Sequence, residues 1–231
     1  MDRLSQTSPY PNPLSQAGEG AVPIAILGGT FDPVHLGHLR VAWEAAEVLG
    51  AQVYLMPANT PPHRPAPVAD AQQRVRMLEV ALAGQDRLVL DTRELRRDGP
   101  SYTVDTLHEL RAELSASRSL ILLLGADAFA GLTTWHEWRR LFDLSHVVVL
   151  TRPGHAATLP PELDLEIAAR QAVTAKELQQ SPAGKVLNLP VTPLEISASA
   201  VRALLAAGRE PRWLLPEALF ANAELLAPYR Q

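Results

Sequence analysis

The sequence predicts an α/β fold: a parallel sheet of five or six strands flanked by helices, with a small helical part at the C-terminal end. Continuous apolar runs alternate along the chain with longer stretches in which apolar residues recur at spacings of three and four. The runs suit strands that are buried on both faces, and the longer stretches suit the helices that cover such a sheet. This alternation is typical of a Rossmann-like architecture.

The individual elements follow from the same pattern. Six apolar runs are predicted as strands: residues 24–27, 53–56, 88–90, 120–124, 146–150 and 186–189. Four stretches are predicted as crossover helices: residues 38–49, 71–83, 103–114 and 135–141. Asp70 is placed to cap the second of these helices. Residues 154–184 interrupt the alternation, and we expect an insertion with some helix there.

The two ends of the chain differ from its middle. Residues 1–20 contain Pro9, Pro11 and Pro13 and lack the apolar core of a signal peptide, so we expect a flexible N-terminal tail. The remaining residues, 21–231, are predicted to form a single domain. Within it, residues 196–231 are a helical subregion: one helix that Gly208 ends and another that starts near Pro216.

The composition excludes several classes of protein. A formal charge of −4 argues against a nucleic-acid binder, which normally carries a basic surface. The absence of Cys excludes disulfides, a thiolate nucleophile and cysteine-ligated zinc, and it is compatible with a cytoplasmic protein. Without an apolar run of about 18 residues, we expect no membrane span. The composition is equally compatible with a monomer and a homo-oligomer.

The segment between the first strand and the first helix has the composition of an anion site. Gly28 and Gly29 let the backbone approach a bulky anion, and the helix that follows offers free N–H groups. Thr30 and Phe31 continue the loop. The segment matches neither the Walker A pattern nor GxGxxG, so P-loop and dinucleotide-oxidoreductase functions lose their main support.

Two histidines follow this loop at the start of the predicted helix. His35 and His38 are three residues apart, so on a helix they share one face, at the end that favours anions. Both rings could then reach one phosphate chain. The alternative is a pair of helix-capping or core histidines. A zinc site is less favoured, because helical zinc pairs are usually four residues apart with Glu beside the first.

A second candidate anion site lies near the C-terminal end. Arg202 follows Ser199 by three residues, which places its guanidinium beside the hydroxyl and the first amides of a helix that opens near Ser197. The alternative is a surface arginine on a capped helix.

These segments together resemble a known family. The run from Gly28 to His38 is similar to the signature of the (His/Thr)-x-Gly-His nucleotidyltransferase superfamily. Its exact residues resemble those of the bacterial nicotinate-nucleotide adenylyltransferases. Four other segments resemble that family's motifs in the family's order: Pro61 to Arg64, Ser101 to Leu107, Leu124 to Asp127 with Thr134-Trp135, and Ile196 to Arg202. The resemblance covers about residues 22–228.

The resemblance implies roles for individual residues. His35, His38 and Arg202 would be catalytic, as donors that stabilise phosphate charge. ATP and its phosphates would contact Gly28, Gly29, Thr30, Phe31, Gly125, Asp127, Ser197 and Ser199, although Asp127 could instead be a helix N-cap. Nicotinate mononucleotide would contact His63, Arg64, Thr103, Trp135, His136 and Arg152.

The resemblance further implies that Trp135 stacks on the pyridine ring of the mononucleotide. It also implies that Thr103 and main-chain amides near Trp135 and His136 contact the nicotinate carboxylate. Trp135 could otherwise be an ordinary helix anchor, and core packing is as plausible for Trp138. Arg152 and the pair His63-Arg64 lie near carboxyl ends of strands, where open parallel sheets bind ligands, but they could be solvated loop residues.

The implied reaction is adenylyl transfer from ATP to nicotinate mononucleotide, giving deamido-NAD and pyrophosphate in NAD biosynthesis. Mg²⁺ would accompany ATP, held by phosphates and water and not by protein side chains. Two alternatives stay open. One is another adenylyl- or cytidylyltransferase of the superfamily, with nicotinamide mononucleotide or phosphopantetheine as acceptor. The other is a non-catalytic nucleotide sensor.

Overall fold

The computed structural model describes residues 22–59, 66–97, 99, 101–152 and 158–230. The predicted tail, residues 1–20, lies outside the described residues. So does the pair His63-Arg64.

The predicted strands are confirmed. Across the described ranges, one sheet of six strands forms in the spatial order β3-β2-β1-β4-β5-β6, and all neighbouring strands run parallel. The strands are β1 (Ile24–Gly29), β2 (Gln52–Pro57), β3 (Leu88–Leu90), β4 (Leu120–Gly125), β5 (His146–Thr151) and β6 (Val186–Pro190). Because strand order reverses between β1 and β4, their carboxyl ends form the crevice where such sheets bind ligands.

The α-helices of the described residues cover both faces of this sheet. They are α1 (Leu36–Leu49), α2 (Ala71–Leu82), α3 (Thr103–Glu113), α4 (Ala126–Ala130), α5 (Leu141–Leu144), α6 (Pro161–Arg170), α7 (Ala175–Leu178), α8 (Ala198–Ala206) and α9 (Glu217–Ala221). Asp70 caps α2 as predicted, because its Oδ1 accepts the Gln73 N–H at 2.8 Å. α8 ends just before Gly208, whose φ is 67°. The insertion contains α6 and α7.

The helix predicted over residues 135–141 is wrong. Trp135 is extended, and Glu137 has a left-handed backbone with φ 48°, which breaks a right-handed helix. A short 3₁₀ turn, Trp138–Arg140, then leads into α5. The helical spacing in the sequence arose because Trp138, Leu141 and Phe142 are all buried in the same cluster.

Two apolar clusters hold the helices on the sheet. Alternate residues of β1 point to opposite faces, so Ala25 joins one cluster while Ile24 and Ile26 join the other. The first cluster includes buried residues of α1, α2 and α8, and the second those of α3 and α5. The sheet is therefore packed on both faces, and the loops at its carboxyl edge connect elements that are themselves buried.

Candidate active site

The carboxyl end of β1 is formed by Gly28 and Gly29, and it leaves open space at Gly28. A Cβ built on Gly28 would meet nothing within 4 Å, whereas one on Gly29 would lie 3.0 Å from the Cζ of Phe31. Phe31 is buried and has a left-handed backbone, with φ 51°. Its ring packs against Gly29. Gly28 thus leaves space for a ligand, and Gly29 leaves space for Phe31.

His35 and His38 are brought together as the sequence predicted. His35 is the N-cap of α1, and its Nδ1 accepts the His38 N–H at 3.3 Å; in return the His38 Nδ1 accepts the His35 N–H at 3.3 Å. The two rings are stacked, with centroids 3.6 Å apart and planes 19° apart. The capping alternative is therefore also correct, and it uses only one nitrogen of each ring.

This arrangement fixes the protonation state of both histidines. Burial lowers the pKa of His35 to about 4, and burial together with the nearby His35 lowers the pKa of His38 to about 3. Both rings are neutral at pH 7. Because each Nδ1 accepts a backbone N–H, the single ring proton of each histidine must be on Nε2. Each ring thus presents one N–H donor on the edge away from the backbone.

Gly37 makes the stacked pair possible. A Cβ on this residue would lie 3.0 Å from the His35 Nδ1 and 3.1 Å from its Cε1. It would also lie 3.5 Å from the Ile196 Cβ, which places the segment before α8 against the start of α1. The N–H of Gly37 has no acceptor within the described ranges, so it is available to an anion.

Arg202 lies beside Ser199, as predicted. Its Nη2 donates to the Ser199 Oγ at 3.2 Å, and its Nη1 donates to the Asp32 carbonyl at 2.6 Å. Ser197 is the N-cap of α8, because its Oγ accepts the Ala200 N–H at 3.1 Å. The guanidinium of α8 is thereby joined to the loop that follows β1.

Two buried residues to which sequence analysis gave no role, Arg74 and Asp32, hold that loop. Arg74 of α2 is 2% exposed, and its Nη1 donates to the carbonyls of Thr30 and Ala58 at 2.9 and 2.8 Å. The carboxylate of Asp32, 5% exposed, accepts the N–H groups of Val68 and Ala69. A basic residue within an amphipathic helix looks like a surface residue in sequence, so Arg74 gave no signal.

The end of β4 forms the other wall of the crevice. Gly125 is exposed, and a Cβ there would meet nothing within 4 Å. Gly125 is also the N-cap of α4, which puts the exposed Asp127 at the second helical position. The N-cap alternative for Asp127 is therefore wrong. Its carboxylate is at a helix start beside the crevice.

The residues predicted to bind the mononucleotide lie on two adjoining segments. Thr103 begins α3 and is half-buried. The rings of its neighbour Tyr102 and of His136 are 4.6 Å apart, which brings the start of α3 to the segment after α4. Trp135 is half-buried against the second core cluster. Trp138 is 8% exposed and belongs to that core. Sequence analysis placed Tyr102 in a family-like segment but gave it no role.

Arg152 follows β5 at the same edge of the sheet and is exposed. Among the described residues, no cluster of three His, Cys, Asp or Glu side chains could hold a metal ion. In the same residues, no helix is both long and apolar enough to cross a membrane.

Comparison with known proteins identifies the family of the chain. The family model described as cytidylyltransferase-like matches residues 26–204. A relative from Pseudomonas aeruginosa, named "Probable nicotinate-nucleotide adenylyltransferase", is 47% identical over 208 residues, which are 90% of this chain and 97% of the relative. A relative of the same name from Halorhodospira halophila is 51% identical over 197 residues, 85% of this chain and 90% of the relative.

A solved structure extends the comparison to the fold. The Plasmodium falciparum nicotinic acid mononucleotide adenylyltransferase complexed with NaAD matches with a TM-score of 0.66 at 15% identity, over 91% of this chain and 98% of that chain. The likeness at this identity concerns the fold, and it agrees with the six-stranded parallel sheet. By its family match and its curated relatives, the chain belongs to the cytidylyltransferase-like nucleotidyltransferases and, within them, to the nicotinate-nucleotide adenylyltransferase family.

Proposed function

We propose that this protein transfers the adenylyl group of ATP to nicotinate mononucleotide, giving deamido-NAD and pyrophosphate. One observation carries the reaction type: two neutral, stacked histidines present Nε2–H donors at the start of α1, beside a glycine loop at the carboxyl end of β1. The choice of acceptor rests on the relatives named for nicotinate nucleotide. A cytoplasmic location, where ATP is available, is part of the same proposal.

The chemistry asks the protein for no general base. In this reaction a phosphate oxygen of the mononucleotide attacks the α-phosphorus of ATP, a new P–O–P bond forms, and the bond to the β-phosphate oxygen breaks to release pyrophosphate. A phosphate monoester has a second pKa of about 6, so the nucleophile is already mostly dianionic at pH 7. Two histidines whose pKa values are about 4 and 3 suit donors better than proton acceptors.

The protein instead has to align two anions and stabilise the charge that develops on the leaving pyrophosphate. We assign this to the Nε2–H groups of His35 and His38 and to the guanidinium of Arg202. Arg202 has five N–H donors, and it uses two of them on Asp32 and Ser199, so the others can meet a phosphate while the side chain stays anchored. The N–H of Gly37 adds a donor from the helix start.

Mg²⁺ would enter with ATP. Asp32 lies in the loop after β1, and both of its carboxylate oxygens already accept backbone N–H groups. The side chains assigned to the phosphates at the start of α1 and on α8, those of His35, His38 and Arg202, present N–H donors, which do not ligate a cation. The donor set therefore suits a magnesium ion carried by the substrate's phosphates and by water, with charge neutralisation as its contribution.

For the mononucleotide, we assign stacking on the pyridine ring to Trp135 and contact with the carboxylate to Thr103 and the amides near His136. The pairing of Tyr102 with His136 supports this placement, because it brings both segments to one end of the crevice. Arg152, His63 and Arg64 are proposed phosphate or sugar contacts. Gly125 and Asp127 are proposed to contact ATP across the crevice from Gly28.

A pyrophosphate-release assay tests the proposal. Purified protein is incubated with ATP and Mg²⁺ and, in separate reactions, with nicotinate mononucleotide, nicotinamide mononucleotide or phosphopantetheine. We expect release with nicotinate mononucleotide to exceed that with the other two acceptors. Release with another acceptor alone would replace the substrate assignment. ATP binding without release in any reaction would indicate a nucleotide sensor.

A further inference from the structure

The carboxylate of Asp32 has four partners, which come from three other parts of the chain. Its Oδ1 accepts the Ala69 N–H at 3.0 Å and the Tyr229 hydroxyl at 2.8 Å, and its Oδ2 accepts the Val68 N–H at 2.8 Å. The fourth partner is Arg202, whose Nη1 lies 3.6 Å from Oδ2. Three neutral donors therefore hold the carboxylate closely, and the guanidinium stays farther away.

Tyr229 reaches this point from the far end of the chain. It is the last residue of a 3₁₀ segment, Ala223–Tyr229, and it is 3% exposed within the first core cluster. Burial, with Asp32 as hydrogen-bond partner, raises the pKa of its phenol, so the hydroxyl keeps its proton and donates. Because it is buried, the phenol does not line the crevice and does not contact a substrate there.

We propose that Tyr229 is a positioning residue for the adenylyl transfer, which acts through Asp32 to set the place of Arg202. This inference rests on the proposed function. By donating to the carboxylate, the phenol reduces the negative charge that draws on the guanidinium. Arg202 then keeps its bonds to the Asp32 carbonyl and the Ser199 hydroxyl, and its remaining N–H groups stay available to a phosphate.

Removal of the phenol oxygen should shift this balance. With one donor fewer, a buried carboxylate pairs more closely with the nearest cation, which is Arg202 at 3.6 Å. The guanidinium would turn from the crevice toward Oδ2. Since the leaving pyrophosphate would lose part of its stabilisation, turnover should fall while mononucleotide binding, at the Trp135 end of the crevice, should not.

A matched substitution separates this effect from a loss of stability. Tyr54 of β2 is also fully buried, and its hydroxyl donates to the Gln52 Oε1 at 3.0 Å, near the amino end of that strand. Tyr229→Phe and Tyr54→Phe each remove one hydrogen-bonded phenol oxygen. Both should lower the thermal midpoint, but only Tyr229→Phe should lower kcat, by about tenfold, with KM for nicotinate mononucleotide within twofold of wild type.

A double-mutant cycle tests the route through Arg202. Arg202→Ala should lower kcat by about a hundredfold or more, and Tyr229→Phe should add less than about twofold in that background. All rates are measured where circular dichroism shows each variant folded. Equal kcat in the two Tyr→Phe variants, or a full tenfold effect of Tyr229→Phe in the Arg202→Ala background, would overturn the inference. Wild-type turnover, measured in parallel, reports the proposed function independently.

Discussion

The imidazole rings of His35 and His38 lie stacked at a centroid distance of 3.6 Å, and each Nδ1 accepts the backbone N–H of the other residue. This pair is at once a helix cap and a source of two donors. The cap uses the Nδ1 atoms and fixes the rings, so the Nε2–H groups are oriented before any substrate arrives. Structural and chemical roles are thus assigned to different nitrogens of the same side chains.

The two roles can be separated at position 38. Gln at the third helical position can replace the histidine in the capping box and keeps an amide N–H, whereas Ala does neither. We expect His38→Ala to lose at least about a hundredfold in kcat, as for removal of a preorganised donor, and about 1 kcal/mol of the free energy of unfolding. His38→Gln should keep the stability and lose less kcat than His38→Ala. Steady-state kinetics and urea denaturation check this, and near-normal kcat in folded His38→Ala would refute the donor role.

The pKa values of the pair predict how these histidines titrate. Since burial lowers them to about 4 and 3, neither ring should titrate between pH 5.5 and 8, whereas a histidine in a model peptide titrates near 6.5. NMR of ring protons, assigned with His35→Asn and His38→Gln, measures this directly. A midpoint above 6 for either ring in the free protein would contradict the neutral pair.

The same values predict the pH dependence of stability. Between about pH 6.5 and 4 the unfolded chain binds protons at these histidines and the folded protein does not, so stability rises with pH. Above pH 6.5 these histidines do not lower the free energy of unfolding, and as the pH falls toward 4 they lower it progressively. Urea denaturation at pH 7.5 and 5.0 should show a smaller difference for His35→Asn/His38→Gln than for wild type. The buried His146, whose pKa is also lowered, leaves part of the difference in both.

Gly28 offers a test of ligand approach. Because a Cβ at this position meets nothing within 4 Å, Gly28→Ala should leave the thermal midpoint unchanged or slightly raised. If phosphates pack against this backbone, KM for ATP should rise about tenfold or more. Gly84→Ala is the control: its φ of 79° predicts a loss of stability without a kinetic effect. Unchanged KM in Gly28→Ala would place the phosphates elsewhere.

The two neighbouring tryptophans should respond differently. Trp135→Ala removes the proposed stacking surface and should raise KM for nicotinate mononucleotide about tenfold, with KM for ATP within threefold. Trp138→Phe, in the core, should lower stability and leave both KM values close to wild type. Kinetics with each substrate varied in turn distinguish the outcomes. A rise in KM for ATP alone would show that Trp135 does not stack on the pyridine.

Much of this architecture was predictable because it depends on local pattern. The strands are continuous apolar runs, and a parallel sheet buried on both faces requires such runs. The spacing of His35 and His38 predicted a shared face, and that of Ser199 and Arg202 predicted their contact; both are confirmed. In each case the partners are three residues apart, His35 and His38 as the N-cap and third residue of α1 and Ser199 and Arg202 within α8, so the sequence distance determines the spatial one.

Contacts between distant parts of the chain were not predictable. Tyr229 and Asp32 are 197 residues apart, and no periodicity relates them. Arg74 is buried among backbone carbonyls of a loop, a setting that its helix does not encode. The helix predicted over residues 135–141 was wrong for a related reason. One residue with a left-handed backbone, Glu137, breaks the helix that the apolar spacing indicated.

The most direct test of adenylyl transfer follows the phosphorus of ATP into the product. Protein, Mg²⁺ and nicotinate mononucleotide are incubated with ATP labelled at the α-phosphate or, separately, at the γ-phosphate, and the products are separated. We predict α-label in a dinucleotide and γ-label in pyrophosphate, in equal amounts and at rates that fall in parallel for His38→Ala and Arg202→Ala. Release of α-label as free AMP, or no label in a dinucleotide, would contradict the account.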